Sequence, residues 1–129
     1  MRKQTGFTLM ELLIVVAIIG ILGSIGYSSY QGYVLETRRS SAQNYLMHLS
    51  QAQEKFYIEN RVYTANLANL GGQSSTADGM YDISVTTDNN GQGFTLSANT
   101  ASGSAQAADN GCTALRLDHL NSRSPTTCW

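Results

Sequence analysis

Glu11 is the residue that fits its surroundings least: a carboxylate at the head of an apolar run in which no other charge appears until Glu36. Carried to the centre of a bilayer it would cost about 2.5–3.5 kcal/mol, so it needs either a partner or a path to the headgroups. Cys112 and Cys128 are the only cysteines, both near the C-terminal end. Outside the cytoplasm such a pair is expected to form a disulfide, and closing that loop would contribute about 3 kcal/mol. A zinc site at His119 would need more ligands than the chain places near it. His48 and His119 have no nucleophile pattern tying them together and read as surface residues. There is no Gly-x-Ser-x-Gly, no His-Glu-x-x-His and no Gly-x-x-x-x-Gly-Lys. Gly91-Gln92-Gly93 lies between two strand-like runs and reads as a turn. The expectation is a chain with no catalytic residue, no metal and no cofactor.

The elements around these residues explain the composition. Eight basic and nine acidic residues give a net charge of −1, and only 13% of the 129 residues are charged, against roughly 25% in a soluble domain. From Leu12 to Leu35 there is no charge at all. As a helix that stretch rises about 36 Å, enough for a bilayer core of about 30 Å. A freely soluble cytosolic protein is thereby nearly ruled out. Arg2 and Lys3 before the run, with small residues at Ser24-Ile25-Gly26, resemble a secretory signal peptide. Glu11 and the continuation of the run into an amphipathic helix count against that reading. Arg38 and Arg39 follow the run, so charge alone leaves the membrane orientation open.

Beyond Leu35 the pattern becomes amphipathic. Leu35, Ala42, Tyr45, Leu46, Leu49, Ala52 and Phe56 fall on one helical face. Glu36, Arg38, Arg39, Gln43, Gln51 and Glu54 fall mostly on the other. No Pro or Gly interrupts Tyr33 to Asn60, so one helix from about Phe7 to Glu59 is expected, about 80 Å long. Tyr63 and Leu67 are expected in the core, and Gly71-Gly72 with the Ser-rich run to Gly79 as a flexible connection. Tyr81–Thr86 and Phe94–Ala98 alternate as strands, with Asp88-Asn89-Asn90-Gly91 as the hairpin turn. Asn99–Gly111 reads as an exposed loop, Thr113–Asp118 as a third strand, and the last ten residues as room for a short fourth. Apolar faces of period two against a helical stripe make an α+β fold.

Gly6-Phe7-Thr8-Leu9-Met10-Glu11-Leu12-Leu13-Ile14-Val15-Val16-Ala17-Ile18-Ile19-Gly20-Ile21-Leu22 closely resembles the N-terminus of type IV pilins, with a short leader typical of type IVa. The resemblance implies cleavage between Gly6 and Phe7 by the prepilin peptidase and N-methylation of Phe7. It also implies that Glu11 neutralises the Phe amine of a neighbouring subunit and so sets the axial register during assembly. N-methylation keeps the positive charge, so the pair survives it. Where many pilins carry a proline this chain has Ser28, so unwinding of the helix there would rest on Gly20, Gly23 and Gly26. Glu54–Thr64 is similar to the helix end and following loop of pilins. The ending Cys-Thr-Ala-Leu-Arg-Leu-Asp with a closing Cys-Trp looks most like the PilE-type branch, which implies a minor pilin and assigns Cys112–Cys128 to the C-terminal disulfide loop.

The implied organisation is a leader over 1–6, a transmembrane or filament-core helix over 7–35 and a globular domain over 36–129. That domain divides into an amphipathic helix over 36–60, a connection over 61–80, and the sheet with its disulfide loop over 81–129. The fold expected is the pilin fold, a long helix, half projecting, packed on three or four antiparallel strands. The implied function is a subunit anchored in the inner membrane and then polymerised into an extracellular filament for adhesion, twitching motility or DNA uptake. Its partners would be other pilins, the peptidase and methyltransferase, and the assembly machinery in the membrane. A type II secretion pseudopilin and a DNA-binding minor pilin are the alternatives. From Glu36 onward six basic residues face eight acidic ones, a net of −2, so nucleic acid is not the expected partner.

Overall fold

A computed structural model describes residues 6–88 and 90–129. Most of the leader, residues 1–5, and Asn89 of the expected hairpin turn lie outside the described residues. The chain divides into two units, Met1–Val34 and Leu35–Trp129. Helix α1, Leu9–Asn60, contributes to both. Thr8 caps its start: the hydroxyl oxygen accepts the Glu11 N–H at 3.3 Å, satisfying one of the N–H groups that a helix N-terminus leaves free. At the other end the Asn60 side chain donates to the Phe56 carbonyl. Arg61 then turns into the left-handed region at φ 62°, and its N–H donates to the Tyr57 carbonyl at 2.8 Å, a common way to close a helix.

In the first unit α1 stands alone. Every large apolar side chain from Phe7 to Tyr33 is at least half exposed, from Phe7 at 86% to Val15 at 50%. In the second unit the same helix buries Ala42, Leu46, Leu49 and Gln53. Those residues pack on a four-stranded antiparallel sheet in the order β1-β2-β3-β4. The strands are β1 Tyr81–Asp88, β2 Gly93–Thr100, β3 Ala114–Asp118 and β4 Arg123–Ser124. Alternation sends Tyr81, Ile83 and Val85, then Phe94, Leu96 and Ala98, then Leu115 and Leu117 into one core with the helix, each fully buried Leu contributing about 1.5–3 kcal/mol. The register pairs Val85 with Leu96 and Leu96 with Leu117, so large apolar side chains meet on one face. At the β1–β2 turn Asn90 and Gly91 both take positive φ. A Cβ on Gly91 would lie 3.1 Å from the Val62 Cβ, so both backbone and space demand glycine there.

Two sequence expectations change. The stretch 61–80 is held in place: a 3-10 turn over Leu67–Leu70 is capped by the Asn66 side chain and by Gly71 at φ 66°. Ser75 bridges Asp82. A Cβ on Gly72 would lie 2.6 Å from Leu49 Cδ2, so this glycine serves close packing. The stretch 99–111 is not an exposed loop. It carries a 3-10 turn over Ala105–Ala108, and Gln106 and Asp109 are buried because helix α1 supplies their partners.

Candidate functional site

Three parts of the molecule carry its chemistry, each built on α1 or on the strand ends. The first is the start of α1. Phe7, Glu11, Leu12 and Val15 line an open, almost wholly apolar groove of about 270 Å³. Thr8-Leu9-Met10-Glu11 has the spacing of a capping box, a signal that the reading of the apolar run passed over. Glu11 is exposed and is the only charge between Phe7 and Leu35. Near the positive end of the helix dipole a carboxylate is stabilised. A Cβ added at Gly20, Gly23, Gly26 or Gly32 would meet nothing within 4 Å. No contact inside this subunit accounts for glycine there, whereas small residues on an apolar helix let another helix approach closely.

The second part is a polar cluster where α1 enters the head. The Arg39 guanidinium holds both Asp109 carboxylate oxygens, at 2.8 and 3.0 Å. The buried Gln106 amide donates to the Leu35 carbonyl at 2.9 Å and to Asp109 Oδ2 at 3.1 Å. Burial pushes the Tyr81 phenol above its usual pKa, and the neighbouring Gln106 amide works in the opposite direction. Arg39 and Gln43 were placed by the sequence on the solvated helix face. Arg39 instead pairs with Asp109, and Gln43 donates to the Cys128 carbonyl.

The third part is the strand ends and the disulfide loop. Cys112 and Cys128 are joined, with Cα atoms 5.7 Å apart. Arg116 and Arg123, the only basic residues after Arg61, sit on adjacent strands. Arg116 pairs with Ser124 and Leu117 with Arg123. The Arg123 guanidinium lies 5.3 Å from the Trp129 ring centre, a cation–π contact, and the indole N–H donates to the Ser124 carbonyl at 3.4 Å. At the end of the sheet near the α1 C-terminus, Tyr63 stacks on Tyr57 and meets Phe94 edge-on, with ring centres 4.7 and 4.8 Å apart. Its hydroxyl donates to Glu54 at 3.1 Å; burial, then Glu54, raise its pKa. His119 lies against Tyr63 and Phe94, while His48 is exposed. Among the described residues no group of three or more His, Cys, Asp or Glu is placed to hold a metal ion.

Sequence reasoning missed Gln53. It continues the buried stripe Ala42, Leu46, Leu49, and a polar residue in that register is the signal that marks it. Its amide donates to the Thr64 carbonyl at 2.6 Å and its oxygen accepts the Thr64 N–H at 3.0 Å. One side chain thus ties the helix to the following loop as a second backbone would.

Comparison with known proteins decides what this arrangement is. A family model described as type IV minor pilin ComP, DNA uptake sequence receptor, matches residues 28–116, more than half of the chain. The chain belongs to the ComP family of type IV pilins. A second model, the prokaryotic N-terminal methylation motif, matches residues 1–27 of the pilin. A solved structure of a type IV pilin from Shewanella oneidensis is 33% identical, with a TM-score of 0.59 over 74% of this pilin and 97% of that chain. No curated protein matches. The long helix on a four-stranded sheet, closed by the Cys112–Cys128 disulfide, is the pilin fold. The methylation motif and the apolar helix make the chain a membrane-anchored prepilin that later forms an extracellular pilus. The pilin family and fold are structural, not enzymatic.

Proposed function

We propose that this pilin is a minor subunit of a type IV pilus that assembles through the start of α1. In this reading cleavage after Gly6 frees the Phe7 amine, N-methylation leaves it charged, and Glu11 of one copy neutralises the Phe7 amine of the next. The observation that carries it is the lone carboxylate on an otherwise uncharged and unpartnered helix from Phe7 to Leu35. Two charges buried apart are each costly, and buried together they offset one another. Apolar contact gives little axial specificity, because moving a side chain from lipid to a filament core gains little. The charge pair therefore sets which turn of one helix lies against which turn of its neighbour. Glu11→Ala is expected to be inserted and processed normally but to appear in sheared surface filaments at a level lower by at least about tenfold, the ratio that 1.4 kcal/mol of lost register energy produces. Filament incorporation at the normal level would remove the role.

A second reading, DNA contact by the head, is favoured by the family description and by the Arg116, Arg123 and Trp129 corner. The head carries a net charge of −2, so phosphate contact would be confined to that corner. Two phosphate contacts predict a duplex affinity that falls with log salt at a slope of about −2. Arg116→Ala with Arg123→Ala should flatten it. Absence of duplex binding by the purified pilin at low salt would overturn the reading.

A further inference from the structure

We infer that Leu35 is a built-in second start for α1. The helix from Leu35 onward is held as part of the head, so it stays helical and docked when the helix before it loses its hydrogen bonds.

The two stretches of α1 differ in everything that stabilises a helix. Before Leu35 lie Gly20, Gly23, Gly26 and Gly32, among the poorest helix formers. The Ser24 and Ser28 hydroxyls donate to the carbonyls of Ile21 and Ile25, at 2.8 and 3.2 Å, offering those acceptors an alternative to the helical N–H. No side chain from Gly6 to Tyr33 is buried within the subunit. After Leu35 come Ala42, Leu46, Leu49 and Gln53, all buried in the head.

The change falls where the loop between β2 and β3 grips the helix. The first residue of a helix is one whose carbonyl accepts the first helical hydrogen bond while the next N–H groups lack intrahelical partners. The Leu35 carbonyl is the group held by Gln106, at 2.9 Å. Glu36 then stands in what would become the first turn, and Asp109 is fixed beside it by Arg39. Negative charge at that place suits a newly exposed helix N-terminus. Gln106 and Asp109 are both buried, which makes the grip part of the packed head.

Hydrogen exchange of the full chain in detergent micelles tests this, read residue by residue. Amides of residues 27–34 should exchange at least about tenfold faster than those of residues 38–45, because local opening free energies follow burial and contact density. The step should fall between Leu35 and Arg39. Asp109→Asn and Gln106→Leu should each move it about one turn toward Leu46 and speed exchange in residues 101–112, with Leu96 and Ala98 still protected. Asp109→Glu should restore the step, and Gly32→Ala should slow residues 27–34 without shifting it. A continuous gradient in the unmodified pilin, or a step unmoved in both Asp109→Asn and Gln106→Leu, overturns the inference. If either variant loses protection in β2, the unmodified step and its response to Gly32→Ala decide.

Discussion

Replacing Gln53 by methionine tests how the head is held together, because the two side chains are similar in size and only the hydrogen bonds go. Gln53 is fully buried, and Thr64 nearly so. Its amide is bonded to both backbone groups of Thr64. In Gln53→Met the Thr64 N–H and carbonyl lose these partners in a place water reaches poorly. Each such group costs about 1–3 kcal/mol, so a loss of about 2–4 kcal/mol is expected. Against the roughly 5–15 kcal/mol of a small domain that is a large share. At about 4–8 °C per kcal/mol it lowers the midpoint by about 10–25 °C. Gln53→Glu should cost at least as much near neutral pH, since a carboxylate cannot donate to the Thr64 carbonyl and carries an unpaired charge into the core. The assay is urea unfolding of the full chain in mild detergent. It would be followed by the fluorescence of Trp129, the only tryptophan, with circular dichroism as the second probe. A Gln53→Met midpoint corresponding to less than about 1 kcal/mol would refute the reasoning, since surface substitutions alone produce changes of that size.

Further outcomes follow from the same packing. Replacing Cys112 and Cys128 by serine opens a loop of sequence separation 16 and should lower head stability by about 3 kcal/mol, measured by the same unfolding assay; no change would mean the loop is held by Gln43 and the core alone. Tyr63 and Tyr81 have phenols raised above 10.0, burial being the largest cause for each. A neutral form favoured in the fold adds stability that is whole below pH 10 and is lost as pH rises through the folded values. Tyrosinate absorbance should therefore show these two, of seven tyrosines, ionising late and together with loss of the sheet signal. All seven ionising near the ordinary value with the sheet intact would contradict their placement. Leu46→Ala removes a fully buried side chain and should cost about 2–5 kcal/mol; a smaller loss in the same assay would show that the helix–sheet core collapses around the gap.

The local and periodic features were legible without a structure. The apolar run, the amphipathic stripe Ala42, Leu46, Leu49 and the alternation in Tyr81–Thr86 and Phe94–Ala98 each depend on spacing within one segment. The observed helix and strands follow them to within two residues at most boundaries. The fourth strand was anticipated only as room near the end, because two residues, Arg123 and Ser124, carry no alternation to read. Gln106 and Asp109 were misplaced on solvent for a similar reason: a run of small polar residues looks the same whether water or a helix satisfies it. Gln53 escaped notice because its partner is the backbone of Thr64, and backbone groups have no letter in a sequence.

What the chain of residues determined by itself was therefore the oily helix with its single carboxylate, the strand faces and the presence of two cysteines. These are properties of neighbours along the polymer, where hydrophobic period and charge act over a few residues. What the tertiary structure decided was which polar groups are satisfied by whom. It joined Arg39 to Asp109 across 70 positions, Gln106 to the Leu35 carbonyl and Arg116 to the neighbourhood of Arg123. A hydrogen bond requires two groups within about 3 Å of one another, and distance in space between distant residues exists only once the helix and sheet have packed.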